Sequence, residues 1–152
     1  MANDADGNAN MLRAAHIAGK AINITQTTAG HAMCYKLTSM YGIAHGHAVV
    51  LCMSKLYPYM VNHIDKCNDS RGVEYLRGIF LGISQAMGCD NIQEGIGRLN
   101  IFLRELNLNI PTSENGDYDI LKESVNYVRL KNNPVLLDET AIDELYHQIL
   151  NG

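Results

Sequence analysis

Hydrophobic residues recur at three- and four-residue spacing along almost the whole chain, and this helical period limits the fold more than any other feature. Near the C-terminus, Ile142, Leu145, Tyr146 and Ile149 follow the i, i+3, i+4, i+7 pattern that places side chains on one helix face. No stretch alternates convincingly between apolar and polar residues, which is the pattern of a half-buried strand. We therefore predict an all-α protein, a bundle of about six or seven helices without a sheet.

Glycine, proline and capping residues predict where these helices begin and end. Pro58 is expected to kink or break one of them, and Asn91 and Glu94 form a potential capping box before another. Turn-rich residues at 110–116 and 132–134 separate the last three segments. The expected helices are 11–25, the segment between Gly30 and Gly42, 45–63, the segment from a cap at 68–70 to Gly88, 92–106, 117–130 and the segment capped by Asp138.

Length and charge exclude several classes of function. The 152 residues correspond to one domain, taken as 1–152, and a domain of this length buries roughly 68–70% of the surface that its unfolded chain exposes. The net charge is -4 and no Lys/Arg cluster is visible, so a nucleic-acid partner is not expected. No apolar run is long enough to span a bilayer, and the polar, acidic N-terminus does not resemble a signal peptide. Four widely spaced cysteines without a C-x-x-C pair indicate reduced thiols and a cytoplasmic protein.

Three histidines in one short segment are the clearest candidates for chemistry. His31 and His45 lie fourteen residues apart, and His47 follows in His-Gly-His. Imidazole is the commonest neutral metal ligand, and the neighbouring glycines Gly30 and Gly46 allow close approach of a ligand. A catalytic metal site needs at least three protein ligands, so His31 and His45 would supply only part of one. The alternative is a pair of core histidines held by hydrogen bonds, which is the commoner case.

Further polar side chains are candidates for contact with a substrate. Tyr35 follows His31 by one helical turn, where it either hydrogen-bonds a substrate oxygen or packs with its hydroxyl satisfied. Lys20, Thr27 and His31 share one face if a single helix runs through them, since eleven residues make about three turns. Lys20 would then attract an anionic substrate, whereas the alternative is a solvated lysine. His47 either faces the cleft as a proton donor or substrate contact, or lies on the surface.

A second carboxylate–imidazole spacing occurs in the last helix. Asp143 and His147 are separated by four residues, as a metal-binding pair on a helix would be. Both residues lie off the apolar stripe of that helix. We therefore expect both to face solvent rather than to form a site.

The segments around His31 and His45 resemble the iron-containing, or group III, alcohol dehydrogenases. The similar stretches are Ala18-Gly-Lys-Ala-Ile-Asn-Ile-Thr-Gln-Thr-Thr-Ala-Gly-His31, then His45-Gly-His-Ala-Val49, then Asn133-Pro-Val-Leu-Leu-Asp-Glu-Thr140. The resemblance covers nearly the whole chain. The residues of these motifs are most similar to those of the branch that reduces phosphonoacetaldehyde and related small aldehydes. Two positions depart from the family pattern, because Tyr35 replaces a frequent histidine and Ala44 replaces a proline.

This resemblance implies the all-helical C-terminal domain of a two-domain enzyme with a dehydroquinate synthase-like fold. The N-terminal domain, which would bind NAD(P)H, and the helix carrying the first two metal ligands are not in this sequence. His31 and His45 match the last two ligands of Fe²⁺ (or Zn²⁺) in the family. The bound metal would polarise the oxygen of a small aldehyde or alcohol, including a phosphonate-bearing one, during hydride transfer.

The remaining candidates receive their roles from the residues themselves, read beside this resemblance. Tyr35 and His47 are the candidate catalytic residues, and Lys20 and Thr27 the candidate substrate contacts. The isolated chain is expected to be inactive and to form homo-oligomers through an apolar inter-domain face. One alternative is a standalone helical binding or assembly module without catalysis. Another is a fragment of an enzyme similar to dehydroquinate synthase or glycerol dehydrogenase, which share the two-domain plan.

Overall fold

The computed structural model describes residues 4–151, and the regular structure in that range is helical. An isolated antiparallel bridge joins Cys67 and Val135, and no strand forms in the described range. The prediction of an all-α fold is confirmed. The α-helices are α1 (Ala5–Ile24), α2 (Ala29–Tyr41), α3 (His45–Asn62), α4 (Val73–Ala86), α5 (Ile92–Glu105), α6 (Asp117–Glu123), α7 (Tyr127–Leu130) and α8 (Glu139–Asn151), with a 3-10 turn at Ile64–Lys66.

The core forms where α2, α3 and α8 pack together. The stripe predicted for α8 is fully buried, and its members are Ile142, Leu145, Tyr146 and Ile149. Tyr146 also satisfies its hydroxyl there, because it donates a hydrogen bond to the Met33 carbonyl in α2 at 2.9 Å. Burial of this stripe stabilises α8 far more than its intrinsic propensity does. The core thereby holds α2 and the start of α3 in a fixed position.

α1 lies outside this core. Its residues are exposed except for Gly7, which is half-buried, and large apolar side chains such as Leu12 and Ile17 face solvent. The helix begins at Ala5 and not at Met11 as expected, because the Asp4 carboxylate accepts a hydrogen bond from the Gly7 amide at 3.0 Å. A side chain that satisfies a free N–H group in this way stabilises a helix start.

The expected single helix over 117–130 is wrong. The structure divides it into α6, which ends at Glu123, and α7, which begins at Tyr127. Asn126 starts the second helix, since its side-chain oxygen accepts hydrogen bonds from the amides of Val128 and Arg129. The extra turn redirects the chain so that α7 packs against α2. This division also accounts for a helix count above the six or seven expected.

Other boundaries differ from expectation in smaller ways. The predicted cap at 68–70 is wrong, because α4 follows Gly72, whose φ of 88° suits glycine. Asp69 instead accepts hydrogen bonds from the backbone and side chain of Arg71. α3 continues through Pro58 and ends at Asn62. Pro58 therefore does not break α3.

The two predicted caps nearest the C-terminus are confirmed. The Glu94 amide donates to the Asn91 side chain at 2.9 Å, and the Glu94 carboxylate accepts from the Asp90 amide at 3.0 Å. The Ala141 amide donates to the Asp138 carboxylate at 2.8 Å. All four cysteines are free thiols, and none of the helices described is long and apolar enough to cross a membrane.

Candidate functional site

A break between α1 and α2 shapes the candidate site. α1 ends at Ile24, and Thr25 and Thr28 both have extended backbone conformations before α2 begins at Ala29. The idea that one continuous helix aligns Lys20, Thr27 and His31 is therefore wrong. Thr27 lies in this extended connection and lines the same pocket as His31. Lys20 stays on the exposed surface of α1.

His31 and His45 meet although they start different helices. His31 lies in the first turn of α2, and His45 is the first residue of α3. Gly42 ends α2 in the left-handed conformation with a φ of 64°, and the short connection leads back to His45. The two imidazole centroids are 5.4 Å apart with a tilt of 52°. The two rings are therefore neighbours, although they belong to different helices.

An open pocket of about 650 Å³ surrounds this histidine pair, and its wall includes Thr27, Tyr35 and Arg129. Tyr35 stacks on His45 with a centroid distance of 5.5 Å and an angle of 28°. Four of the residues proposed from the sequence, Thr27, His31, Tyr35 and His45, thus line one pocket. None of the lining residues is an aspartate or glutamate, as far as the structure describes the chain.

Arg129 is the lining residue that sequence reasoning missed. Its Nη1 donates hydrogen bonds to Thr27 Oγ1 and to the Tyr35 hydroxyl, each at 2.9 Å. Its guanidinium also lies over the Tyr35 ring, 5.1 Å from the centroid, in a cation–π contact. Arg129 reaches the pocket because Asn126 starts α7 afresh. The Asn126 cap was the one signal in the sequence that could have suggested this turn.

The surroundings of His31 make its protonation less favourable. Burial, the neighbouring His45 and the Arg129 guanidinium together lower the pKa of His31 below its ordinary value. His31 is therefore neutral over a wider pH range, and a neutral imidazole is the form that binds metal ions. The Cys34 thiol lies 3.8 Å from His45 Nδ1, and burial raises its pKa. Cys34 thus presents a neutral thiol to the ring nitrogen of His45.

His47 points to a different part of the surface. Its Nε2 lies 2.8 Å from the Asn109 carbonyl, and the ring is not part of the pocket wall around His31 and His45. The hydrogen bond ties the start of α3 to the segment that follows α5. The catalytic role suggested for His47 stays a prediction, as do the roles of the other candidate residues.

Asp143 and His147 take part in local packing. The His147 ring stacks on Tyr118 at 3.7 Å and 7°, while its Nδ1 lies 2.9 Å from the Asp143 carbonyl. Lys122 donates to the Asp143 carboxylate at 3.3 Å. Both side chains are partly exposed. These contacts attach α6 to α8, and they explain the i, i+4 spacing without a metal.

The described part of the chain does not by itself contain a full set of metal ligands. Within residues 4–151, no three or more His, Cys, Asp or Glu side chains are grouped so that they could hold an ion. The donor chemistry of His31 and His45 suits a divalent transition metal. Two imidazoles fill only part of the three-ligand set of a catalytic site, so the remaining ligands would have to come from outside the described residues.

Comparisons with known proteins identify the family of the chain. Residues 1–150 match the model of the Fe-containing alcohol dehydrogenase family, C-terminal. The chain is 31% identical over 146 residues to a phosphonoacetaldehyde reductase of Streptomyces viridochromogenes, a match that covers 93% of this chain and 36% of the relative. The chain thus spans little more than a third of the length of that relative, and no solved structure matches it. The chain belongs to the iron-containing alcohol dehydrogenase family, as a representative of its C-terminal region.

Proposed function

We propose that this chain is the metal-binding C-terminal part of an NAD(P)-dependent aldehyde reductase or alcohol dehydrogenase. The observation that carries the proposal is the side-by-side placement of His31 and His45, whose centroids are 5.4 Å apart on the wall of one pocket. The match to the family model over residues 1–150 supports the same reaction class. The nucleotide and the remaining metal ligands would be supplied by a part of the polypeptide that this chain does not contain.

In this proposal, His31 and His45 hold Fe²⁺ or Zn²⁺. A bound divalent metal supplies Lewis-acid polarisation of the substrate oxygen. Burial of Cys34 beneath His45 limits the freedom of that ring, because the thiol lies 3.8 Å from Nδ1. This contact would orient the His45 ring as a second contact usually does for a ligand histidine, and His45 would then hold the metal through its other ring nitrogen.

Tyr35 and Thr27 would position the substrate. Tyr35 stacks on His45, and its hydroxyl already accepts a hydrogen bond from Arg129 at 2.9 Å. That hydroxyl keeps its own proton available for a substrate oxygen, so Tyr35 would serve as a proton donor in the pocket. Substrates would be small aldehydes, and the name of the Streptomyces relative suggests a phosphonate-bearing one. The proposal also includes His47 as a catalytic residue and Lys20 as a substrate contact, although neither residue lines the pocket.

Metal titration of the native polypeptide that carries this chain tests the role of the histidines. Co²⁺ or Zn²⁺ binding is followed by absorbance and calorimetry in the wild-type polypeptide, in His31→Ala and in His45→Ala. His16→Ala is the matched control, because His16 is exposed on α1 away from the pocket. Each site variant is expected to lose metal binding, and the control is expected to keep it. Binding that survives both site substitutions would refute the assignment.

A reductase assay tests the reaction class. The native polypeptide that carries this chain is expected to oxidise NADH or NADPH with a small aldehyde, and the 152-residue chain alone is expected to be inactive. His31→Ala in the complete polypeptide should lower kcat by at least ~100-fold, the usual effect of disturbing a catalytic metal site. A complete polypeptide with folded structure and no such activity would favour the alternative of a helical binding or assembly module.

A further inference from the structure

We propose that Arg129 recognises the anionic end of the substrate, an inference that rests on the proposed aldehyde reductase function. Arg129 lies in the wall of the pocket that contains His31 and His45. The ligand class is a short aldehyde that carries an anionic oxygen group, either a phosphonate or a carboxylate. Neither the family model nor the name of the relative assigns a residue to this role.

The charge of Arg129 is not neutralised by any carboxylate in the part of the chain that the structure describes. Its hydrogen-bond partners are the hydroxyls of Thr27 and Tyr35, and none of the ion pairs in this range includes it. The pocket wall contains no acidic side chain in the same range. A half-buried guanidinium with neutral partners attracts an anion strongly, because less water screens it than at the surface.

The guanidinium is oriented so that donors remain for a ligand. Both of its hydrogen bonds use Nη1, while a guanidinium carries five N–H donors. Nη2 and Nε have no hydrogen-bond partner among residues 4–151. The edge of the guanidinium that carries these two nitrogens, one side of its planar fork of N–H donors, is therefore available for two parallel hydrogen bonds to an oxyanion. Arginine binds carboxylate and phosphate groups in this bidentate way, which lysine cannot reproduce. Thr27 and Tyr35 hold the fork in place before any ligand arrives.

The spacing suits a short substrate. The guanidinium lies 5.1 Å from the centroid of the Tyr35 ring, and that ring is 5.5 Å from the ring of His45, so the cation and His45 contact the same tyrosine. An aldehyde with its oxygen near His31 and His45 would need only a short carbon chain to place an anionic group beside Arg129. Lys20, the cation first suggested for this role, is exposed on α1 and does not line the pocket.

Steady-state kinetics of the native polypeptide test the proposal. Wild type, Arg129→Met and Arg129→Lys are compared on phosphonoacetaldehyde, on a carboxylate-bearing aldehyde of similar length and on propionaldehyde. Arg129→Met is expected to raise KM for the anionic aldehydes by about 10- to 100-fold, the usual value of a hydrogen bond to a charged group. The effect on propionaldehyde should be less than about 3-fold, and Arg129→Lys should restore part of the loss because it keeps the charge without the fork. The anionic aldehyde that suffers the larger loss identifies the natural oxyanion.

Two further variants make the result specific. Lys131→Met is the matched control, since Lys131 is an exposed cation two residues away and outside the pocket. It should leave the KM values within about 2-fold of wild type, as surface substitutions usually do. An equal loss on charged and neutral aldehydes in Arg129→Met would overturn the proposal in favour of a structural role. A selective loss in Lys20→Met, without one in Arg129→Met, would overturn it in favour of Lys20.

Direct binding separates this inference from the proposed function. Phosphonoacetate, which cannot be reduced as an aldehyde, is titrated into the same polypeptides and followed by ³¹P NMR. Weaker binding in Arg129→Met than in Lys131→Met supports anion recognition even if no aldehyde is reduced. Equal binding in both variants overturns the proposal, whatever the reductase assay shows. Arg129→Lys and circular dichroism of each variant distinguish a lost contact from a lost fold.

Discussion

Replacing Gly95 with alanine should destabilise the protein, although alanine is the better helix former. Gly95 is buried in α5 at its contact with α4. A Cβ atom placed on Gly95 would lie 2.7 Å from the Cβ and 3.1 Å from the Cα of Ser84, and it would also collide with the Ser84 hydroxyl. Ser84 is fully buried, and its hydroxyl donates to the Phe80 carbonyl at 3.1 Å. Since these obstacles include backbone, the two helices have to separate.

The magnitude follows from two opposing effects. Glycine in a helix interior costs about 1 kcal/mol relative to alanine. Overpacking a core contact costs typically ~1–3 kcal/mol, and an approach to backbone atoms belongs near the upper end. The expected net loss for Gly95→Ala is therefore about 2 kcal/mol. Gly97, two residues further along α5, has no atom within 4 Å of the corresponding position, so Gly97→Ala should gain about 0.5–1 kcal/mol.

Urea unfolding followed by circular dichroism measures both variants. The two should move the midpoint in opposite directions, with an unchanged slope if the transition stays two-state. The double variant Ser84→Gly/Gly95→Ala should recover part of the loss, because contacting residues couple in a double-mutant cycle. Gly95→Ala that is as stable as Gly97→Ala would refute the reasoning, since it would mean that α4 and α5 are not in close contact at this position.

Two more predictions concern acid stability and the core. Hydrogen bonds from the Arg71 side chain and backbone hold the pKa of Asp69 at about 2, below its ordinary 3.8, so its contribution to stability is present above pH 3.8 and is lost as the pH falls toward 2. Asp69→Asn should therefore flatten the dependence of stability on pH in that interval, as measured by urea unfolding at several pH values; an unchanged slope would contradict this assignment. Tyr146→Phe removes the buried hydrogen bond to the Met33 carbonyl and should cost about 1 kcal/mol, or a fall of about 2–4 °C in Tm. Tyr127→Phe is its control, because Tyr127 is 45% exposed, and equal shifts in the two variants would show that the Tyr146 hydrogen bond contributes nothing.

Local sequence patterns were sufficient for the helices whose signals lie within a few residues. The stripe of Ile142, Leu145 and Ile149 predicted α8 and its buried face correctly, and Asp138 predicted its start. These signals are local because helix periodicity and capping depend on neighbours three or four residues away. The fourteen-residue interval between His31 and His45 likewise pointed to a joint role, and the structure places both rings on one pocket wall.

Tertiary structure decided what the local patterns left open. Thr27, Tyr35 and Arg129 meet although Arg129 is 102 and 94 residues from the other two. That contact depends on how α7 packs against α2, which no spacing along the chain encodes. The exposure of α1 could not be predicted from the sequence either, because its apolar residues indicate a face suited to burial but do not indicate what covers that face. The sequence alone therefore determined the all-α class, the buried face of α8 and the choice of His31 and His45 as candidates, because these depend on local patterns. Only the packing of distant segments brought Arg129 into the pocket of the two histidines.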